Sequence, residues 1–136
     1  MLTSRRGSIE RLSICDLSIL FELLLELEEA IRLIERRFTQ IQKADDFIAD
    51  DDGLDRLDGI SMMLIAISEN IRRLDRLMGE SLANRYPEIP WSEIKGIRNI
   101  LAHDYFDIDP EEIYRICRED LEILKRVLGK IRHDLL

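Results

Sequence analysis

Hydrophobic residues recur at three- and four-residue steps along most of the chain, which is the spacing of amphipathic α-helices. The first such stretch predicts a helix over residues 16–43, with Asp16 as its N-cap. Its main apolar stripe comprises Leu20, Leu23, Leu24, Leu27, Ile31, Ile34, Phe38 and Ile41. Further apolar residues lie beside that stripe: Leu17, Ile19, Phe21, Leu25 and Leu33. This surplus predicts either a central helix or a helix with a second apolar face for another subunit.

An acidic segment, residues 44–53, separates this helix from a second one predicted over residues 54–79. We interpret the segment as a solvated connection. It does not fit a calcium-binding EF-hand loop. The register that aligns two of its aspartates and its glycine with that loop puts Ile48 and Gly59 at the first and last ligand positions, where oxygen ligands are required.

The second predicted helix carries three arginines outside its apolar stripe. The stripe comprises Ile60, Met63, Leu64, Ile67, Ile71, Leu74 and Met78. Arg72, Arg73 and Arg76 either form a solvated helix face or line the positive wall of a cleft. The sequence alone leaves both interpretations open.

Two prolines in residues 80–91 stop the helical pattern, and Tyr86 and Trp91 are predicted to pack this rigid connection onto the bundle. A third, shorter helix starts at residues 90–92. The last helix has Asp109 as predicted N-cap and Pro110 as its first residue. Its stripe comprises Ile113, Cys117, Leu121, Leu124, Leu128, Ile131 and Leu135.

These elements predict an all-α fold, an antiparallel bundle of four main helices plus a short one. Glycine (6), proline (3) and aromatic residues (6%) are scarce among the 136 residues, which disfavours β-architecture. The chain length suits one domain. We expect a loose lead-in over residues 1–15 and a single helical domain over residues 16–136.

The net charge and the number of cysteines argue against several classes of protein. A net charge of −8 argues against a broad, non-specific grip on nucleic acid, although residues 60–103 carry a local excess of one positive charge. Cys15 and Cys117 are too few for a disulfide framework or a zinc site, and we interpret both as small buried residues. No signal peptide or bilayer-length apolar run is apparent, so we expect a cytoplasmic protein without membrane contact.

Residues 95–106 of the third helix contain the side chains best suited to catalysis. On an ideal helix Asn99 and His103 lie one turn apart on one side, whereas Arg98 and His103 are separated by about 140°. Either the helix end is distorted or a symmetric partner supplies the second group to a shared cleft. Histidine can transfer the protons and arginine can hold the phosphate in RNA transesterification, with no metal required. Alternatively, His103 has no catalytic role and is an ordinary core or surface residue with its hydrogen bonds satisfied.

At these residues the chain resembles the HepT-like toxins of the HEPN superfamily. Residues 98–105, RNILAHDY, match their R-x4-H-x-Y motif; residues 86–91, YPEIPW, resemble the segment that precedes it, and residues 67–70, ISEN, resemble their second helix. The resemblance covers roughly residues 50–128. It implies an all-α homodimer that acts as a metal-independent ribonuclease on tRNA or mRNA, without a cofactor, with the motif lining a cleft at the dimer interface.

The resemblance also implies roles for single residues. Arg98 and His103 would be the catalytic pair and Asn99 would support them. Tyr105 would be the acceptor for AMPylation by a minimal nucleotidyltransferase antitoxin (MntA-like) of a type VII toxin–antitoxin system. Apart from the resemblance, the charge pattern gives candidates for contacts with RNA phosphates: Arg72, Arg73, Arg76 and Lys95. Two other readings stay open: a non-catalytic helical partner that presents substrate to a nucleotidyltransferase, and a plain dimeric four-helix domain.

Overall fold

A computed structural model describes residues 12–79, 81–103 and 105–136, except for the side chains of His103 and Tyr105. Its α-helices are α1 (Ile14–Phe38), α2 (Asp51–Leu77), α3 (Leu82–Arg85), α4 (Trp91–His103), α5 (Pro110–Arg115) and α6 (Leu121–Leu135). Two 3₁₀ helices, Ala44–Phe47 and Tyr105–Asp107, and a π-helix, Ile116–Asp120, complete the elements. Within these ranges there is no strand, so the prediction of an all-α fold is confirmed.

The long helices run antiparallel to their neighbours. Glu26 of α1 accepts a hydrogen bond from Asn70 of α2, while Arg37 near the end of α1 lies against Gly59 near the start of α2. α4 packs against α2, and α6 packs against α1. α2 therefore lies between α1 and α4, and it contributes to both interfaces.

One hydrophobic core joins these helices. The apolar stripes predicted for the first two helices are largely buried, with Leu20, Leu24, Ile60 and Leu64 fully excluded from solvent. Tyr86 and Trp91 also belong to the core, as predicted. The remaining surplus of α1 is partly exposed: Ile19, Phe21 and Leu25 each show more than two fifths of their surface to solvent.

The helix ends differ from the sequence-based bounds. Ser13, not Asp16, is the N-cap of α1, because its side chain accepts from the Asp16 N–H while the Asp16 carboxylate accepts from the Ser13 N–H. Residues 1–11 of the predicted lead-in lie outside the described residues. α2 begins earlier than predicted, because Asp50 accepts from the Gly53 N–H. It ends by Gly79, whose φ of 67° terminates the helix.

The acidic connection is more ordered than predicted. Residues Ala44–Phe47 form a 3₁₀ helix, and the Phe47 side chain is fully buried. The Asp46 carboxylate closes this turn by accepting from the backbone N–H groups of Gln42 and Lys43. The segment is solvent-exposed at most of its aspartates, as predicted for a solvated connection, but the sequence analysis did not foresee that Phe47 anchors it in the core.

The predicted last helix contains an irregular turn. Asp109 caps it and Pro110 begins it, as expected, but the Ile116–Asp120 segment is π-helical between α5 and α6. The prediction that Cys117 is buried is confirmed, and burial raises the pKa of its thiol to about 12. The same prediction for Cys15 was wrong, because Cys15 lies exposed in the first turn of α1.

Across the described residues, no helix combines the length and apolar character needed to cross a bilayer.

Candidate active site

The α4 helix carries the candidate catalytic residues and is fixed to the bundle by its apolar face. Ile94, Ile97 and Leu101 are buried, as the helical spacing predicted. At its start, the Trp91 indole N–H donates to the Tyr86 carbonyl over 2.7 Å. The opposite face of α4 is therefore the one presented to solvent.

Arg98 and Asn99 lie on that solvent side, and both are exposed. His103 is the last residue of α4, and Tyr105 begins the following 3₁₀ turn. The side chains of His103 and Tyr105 lie outside the described residues. Their distances to Arg98 and their catalytic and acceptor roles therefore stay predictions.

The Arg98 guanidinium is oriented by an ion pair with α2. Its Nε lies 2.9 Å from Oε1 of Glu69, and the two side chains are 55% and 43% exposed. An ion pair this exposed adds little to stability. Because Nε faces Glu69, the terminal nitrogens of the guanidinium are the groups left to donate in parallel to a phosphate.

Lys95 lies one turn earlier on α4 and is held by α2 through both its side chain and its backbone. Its ammonium pairs with Asp75, which is 8% exposed. Its main-chain carbonyl accepts from Ser68 Oγ at 2.9 Å and from Arg72 Nη2 at 2.9 Å and Nε at 3.2 Å. We call this contact, made by Ser68, Arg72, Asp75 and Lys95, the polar seam.

The other two basic candidates lie elsewhere. Arg73 and Arg76 line a groove between α1 and α2, together with Ile19, Glu22, Leu23, Glu26 and Leu77. The structure thus brings Arg72 and Lys95 together at the polar seam but places Arg73 and Arg76 on the α1 side of α2. Their proposed contacts with RNA phosphates stay predictions.

A neighbouring apolar groove of about 400 Å³ continues along α1 and α2. Leu25, Leu33, Met63 and Ala66 line it, and Glu26, Glu29, Glu69 and Asn70 form its polar edge. Glu69 is the residue that also pairs with Arg98. The apolar groove and the Arg98 side chain therefore border on the same residue.

Sequence reasoning about single residues missed Asp75, and it gave Ser68 and Glu69 only as part of a resemblance. A periodic signal was available. Ser61, Ser68 and Asp75 recur every seven residues beside the apolar stripe of α2, and all three are buried. A polar stripe with the spacing of a helix face indicates a polar helix interface, and two of its members, Ser68 and Asp75, form hydrogen bonds with Lys95 of α4.

A second charged cluster joins the start of α4 to the π-helix. Arg115 lies 2.9 Å from Glu112, 3.2 Å from Asp120 and 3.7 Å from Glu93. Its hydrogen bond to Glu112 is the main cause of its raised pKa. Burial raises the pKa of Asp120, against the opposing effect of Arg115. The cluster therefore connects the start of α4 with the π-helix through charged side chains.

His, Cys, Asp and Glu side chains are the usual metal ligands in proteins. The described residues contain no group of three or more that could hold a metal ion.

Comparison with known proteins identifies the family. A family model described as "Ribonuclease HepT-like" matches residues 27–131, which includes α2, α4 and the polar seam. The chain belongs to the HepT-like ribonuclease family. The predicted resemblance is thereby confirmed at the level of the family.

Curated relatives agree with this assignment. A protein of Thermococcus cleftensis named as a probable ribonuclease HepT is 30% identical over 107 residues, which is 79% of this chain and 90% of the relative. MJ1380 of Methanocaldococcus jannaschii, named as a candidate RNase, is 34% identical over 67 residues, or 49% of this chain and 62% of the relative. No solved structure matches the chain.

Proposed function

We propose that this HepT-like protein is an endoribonuclease toxin that cleaves RNA at the solvent-facing end of α4. The observation that carries the proposal is the exposed Arg98 guanidinium, oriented by Glu69 over 2.9 Å within the family match. An arginine whose Nε faces a carboxylate still has the N–H groups of its terminal nitrogens to donate. That arrangement suits recognition of a phosphodiester.

In the proposed reaction the ribose 2′-oxygen attacks the adjacent phosphorus, and the bond from phosphorus to the 5′-oxygen breaks. The products are a 2′,3′-cyclic phosphate and a free 5′-hydroxyl. Arg98 neutralises the charge on the phosphate oxygens, His103 transfers protons, and Asn99 supports their orientation. The scheme uses no metal ion.

The proposed toxin acts as a homodimer. The partly exposed apolar residues of α1 and the adjoining α1–α2 groove provide an apolar surface with Glu69 at its edge. A second copy packed there would lie beside Arg98, so that residues of both subunits line one cleft. Glu26 borders both grooves of this face, beside Arg73 and Arg76 in one and beside Glu29 in the other.

Control of the toxin is proposed to act at Tyr105, through AMPylation by a partner nucleotidyltransferase. Tyr105 follows His103 by two residues, at the exit of α4. AMP attached there adds a negative phosphate and a bulky nucleoside beside the proposed phosphate site. Repulsion and steric exclusion of RNA follow from that addition.

Cleavage of a mixed-sequence fluorogenic RNA oligonucleotide by the purified protein tests the activity. We expect cleavage to persist in EDTA and His103→Ala to lower kcat by at least about a hundredfold, because proton transfer contributes this much. His133→Ala is the matched control, since His133 is exposed near the C-terminal end of α6. Undiminished cleavage by His103→Ala would remove His103 from the mechanism.

Intact-mass measurement after co-expression with a minimal nucleotidyltransferase tests the control step. We expect mass increments of AMP that disappear in Tyr105→Phe and remain in Tyr114→Phe, whose hydroxyl is engaged with the Gln42 carbonyl. A complex that forms without modification or RNA cleavage would favour a non-catalytic partner instead.

A further inference from the structure

The Lys95 carbonyl receives an unusual concentration of donors. Ser68 Oγ, Arg72 Nη2 and Arg72 Nε all donate to it, at 2.9, 2.9 and 3.2 Å. A carbonyl oxygen in a helix ordinarily accepts from the N–H four residues later, which here is that of Asn99. Two side chains of α2 therefore bind the backbone of α4 through hydrogen bonds, in addition to the packing between side chains.

The turn of α4 at Lys95, which these hydrogen bonds hold, leads directly to the candidate active site. Arg98 and Asn99 follow Lys95 by three and four residues, and Arg98 is itself paired with Glu69 of α2. Ser68 is fully buried, so its hydroxyl has no access to solvent as an alternative partner. Losing this hydrogen bond would leave a buried polar group unsatisfied, which makes the contact specific in position.

We propose that Ser68 and Arg72 are positioning residues for RNA cleavage: by binding the Lys95 carbonyl they fix where α4 sits along α2. They thereby hold Arg98 and Asn99 in place relative to a bound phosphate. This inference rests on the proposed ribonuclease function. It assigns Arg72 a role through the backbone of α4, in place of a direct contact with RNA.

The chemistry of Arg72 separates these two roles. Its guanidinium donates to the carbonyl through two nitrogens, and a lysine can keep the charge but cannot reproduce this planar pair of donors. A residue that only attracts RNA phosphates tolerates Arg72→Lys. A residue that positions α4 does not.

Steady-state cleavage of the fluorogenic RNA oligonucleotide by Ser68→Ala and Arg72→Lys tests the proposal. We expect kcat to fall by about tenfold or more in each, because small misplacements of catalytic groups have such effects. KM and its dependence on salt should change less than about twofold. The double variant should lose less than the product of the two single losses, since both residues bind one acceptor.

Two controls lie on the same helix. Ser61 is buried like Ser68, but its hydroxyl has no hydrogen-bond partner among the described residues, so Ser61→Ala should leave kcat unchanged. Arg56 donates to the Gln40 side chain, away from α4, and Arg56→Lys should also leave kcat unchanged. An unchanged kcat in Ser68→Ala, or a change in KM and salt dependence alone in Arg72→Lys, would overturn the positioning role.

Amide hydrogen exchange tests the same contact without relying on RNA cleavage. Exchange over residues 96–102 should be faster by about fivefold or more in Ser68→Ala and Arg72→Lys, but not in the two controls. Equal exchange in all variants would overturn the proposal whether or not RNA is cut. The wild type could fail to cleave the oligonucleotide while exchange responds as expected. In that case the proposed ribonuclease function is wrong, but the role of Ser68 and Arg72 in holding α4 is supported.

Discussion

The two sides of α2 hold their neighbouring helices by different means. Towards α1, α2 contributes to the large apolar core, with leucines and isoleucines from both helices. Towards α4, it adds the polar seam and the Glu69–Arg98 ion pair to the apolar contact. Apolar packing supplies most of the free energy of folding but is tolerant of small displacements, whereas hydrogen bonds impose direction. Towards α1 the hydrogen bond between Asn70 and Glu26 joins two side chains, whereas towards α4 two side chains of α2 bind the backbone of the helix that carries the candidate active site.

Truncation in the apolar interface should give the largest loss of stability. Leu27 of α1 is fully buried, and we expect Leu27→Ala to lower the free energy of unfolding by about 2–5 kcal/mol. Urea denaturation followed by circular dichroism measures it. Leu25→Ala is the control, because Leu25 is 44% exposed and should cost less than about 1 kcal/mol. Equal losses in both variants would contradict the assigned core.

Substitution at the start of α2 distinguishes contacts with backbone from contacts with side chains. A methyl group on Gly53 would lie 2.1 Å from the Asp46 carbonyl oxygen, so Gly53→Ala should cost about 3 kcal/mol. At Gly59 the three atoms nearest to the methyl would all belong to the flexible side chain of Arg37, which can move away. Gly59→Ala should therefore be near neutral in the same denaturation experiment. A neutral Gly53→Ala would mean that the 3₁₀ helix does not pack closely on α2.

Breaking the ion pair of the polar seam should have a smaller effect on stability. Asp75→Ala leaves the Lys95 ammonium without its partner, but this side chain is about one third exposed and can reach water. We expect a loss of about 1 kcal/mol, larger than for the exposed Lys125–Glu35 pair, where Glu35→Ala should cost about 0.5 kcal/mol or less. Denaturation of both variants at low and high salt provides the comparison. A larger loss in Glu35→Ala would reverse this ranking.

Substitution of Asp120, the buried carboxylate near the π-helix, should change the stability least, and it should raise the stability rather than lower it. The pKa of Asp120 is raised by burial, so its ionised form is disfavoured in the folded protein. Stability from this group is therefore present below the pKa of the unfolded state and is lost as pH rises through the folded pKa. Asp120→Asn should be slightly more stable than the wild type at neutral pH, and the gain should shrink in acid. A loss at neutral pH would show that the contact with Arg115 outweighs burial.

The candidate site was only partly predictable from the sequence. Arg98 and Asn99 occupy the solvent side of α4, because the apolar spacing of Ile94, Ile97 and Leu101 fixes which face is buried. The mutual position of the basic residues was not predictable. Arg72 and Arg73 are neighbours in sequence but lie on different sides of α2, since successive helical residues differ by about 100° in direction.

The sequence by itself determined the all-α class, the apolar faces of the helices and the Asp109–Pro110 start of the last helix. These features depend on local spacing and capping, which involve residues within one or two turns. Only the tertiary structure decided that Phe47 anchors the acidic connection and that Glu69 orients Arg98. It also decided the hydrogen bond from Ser68 to the Lys95 carbonyl, which joins residues 27 apart in sequence. The acceptor there is a main-chain carbonyl, which every residue has, so nothing in the sequence marks it.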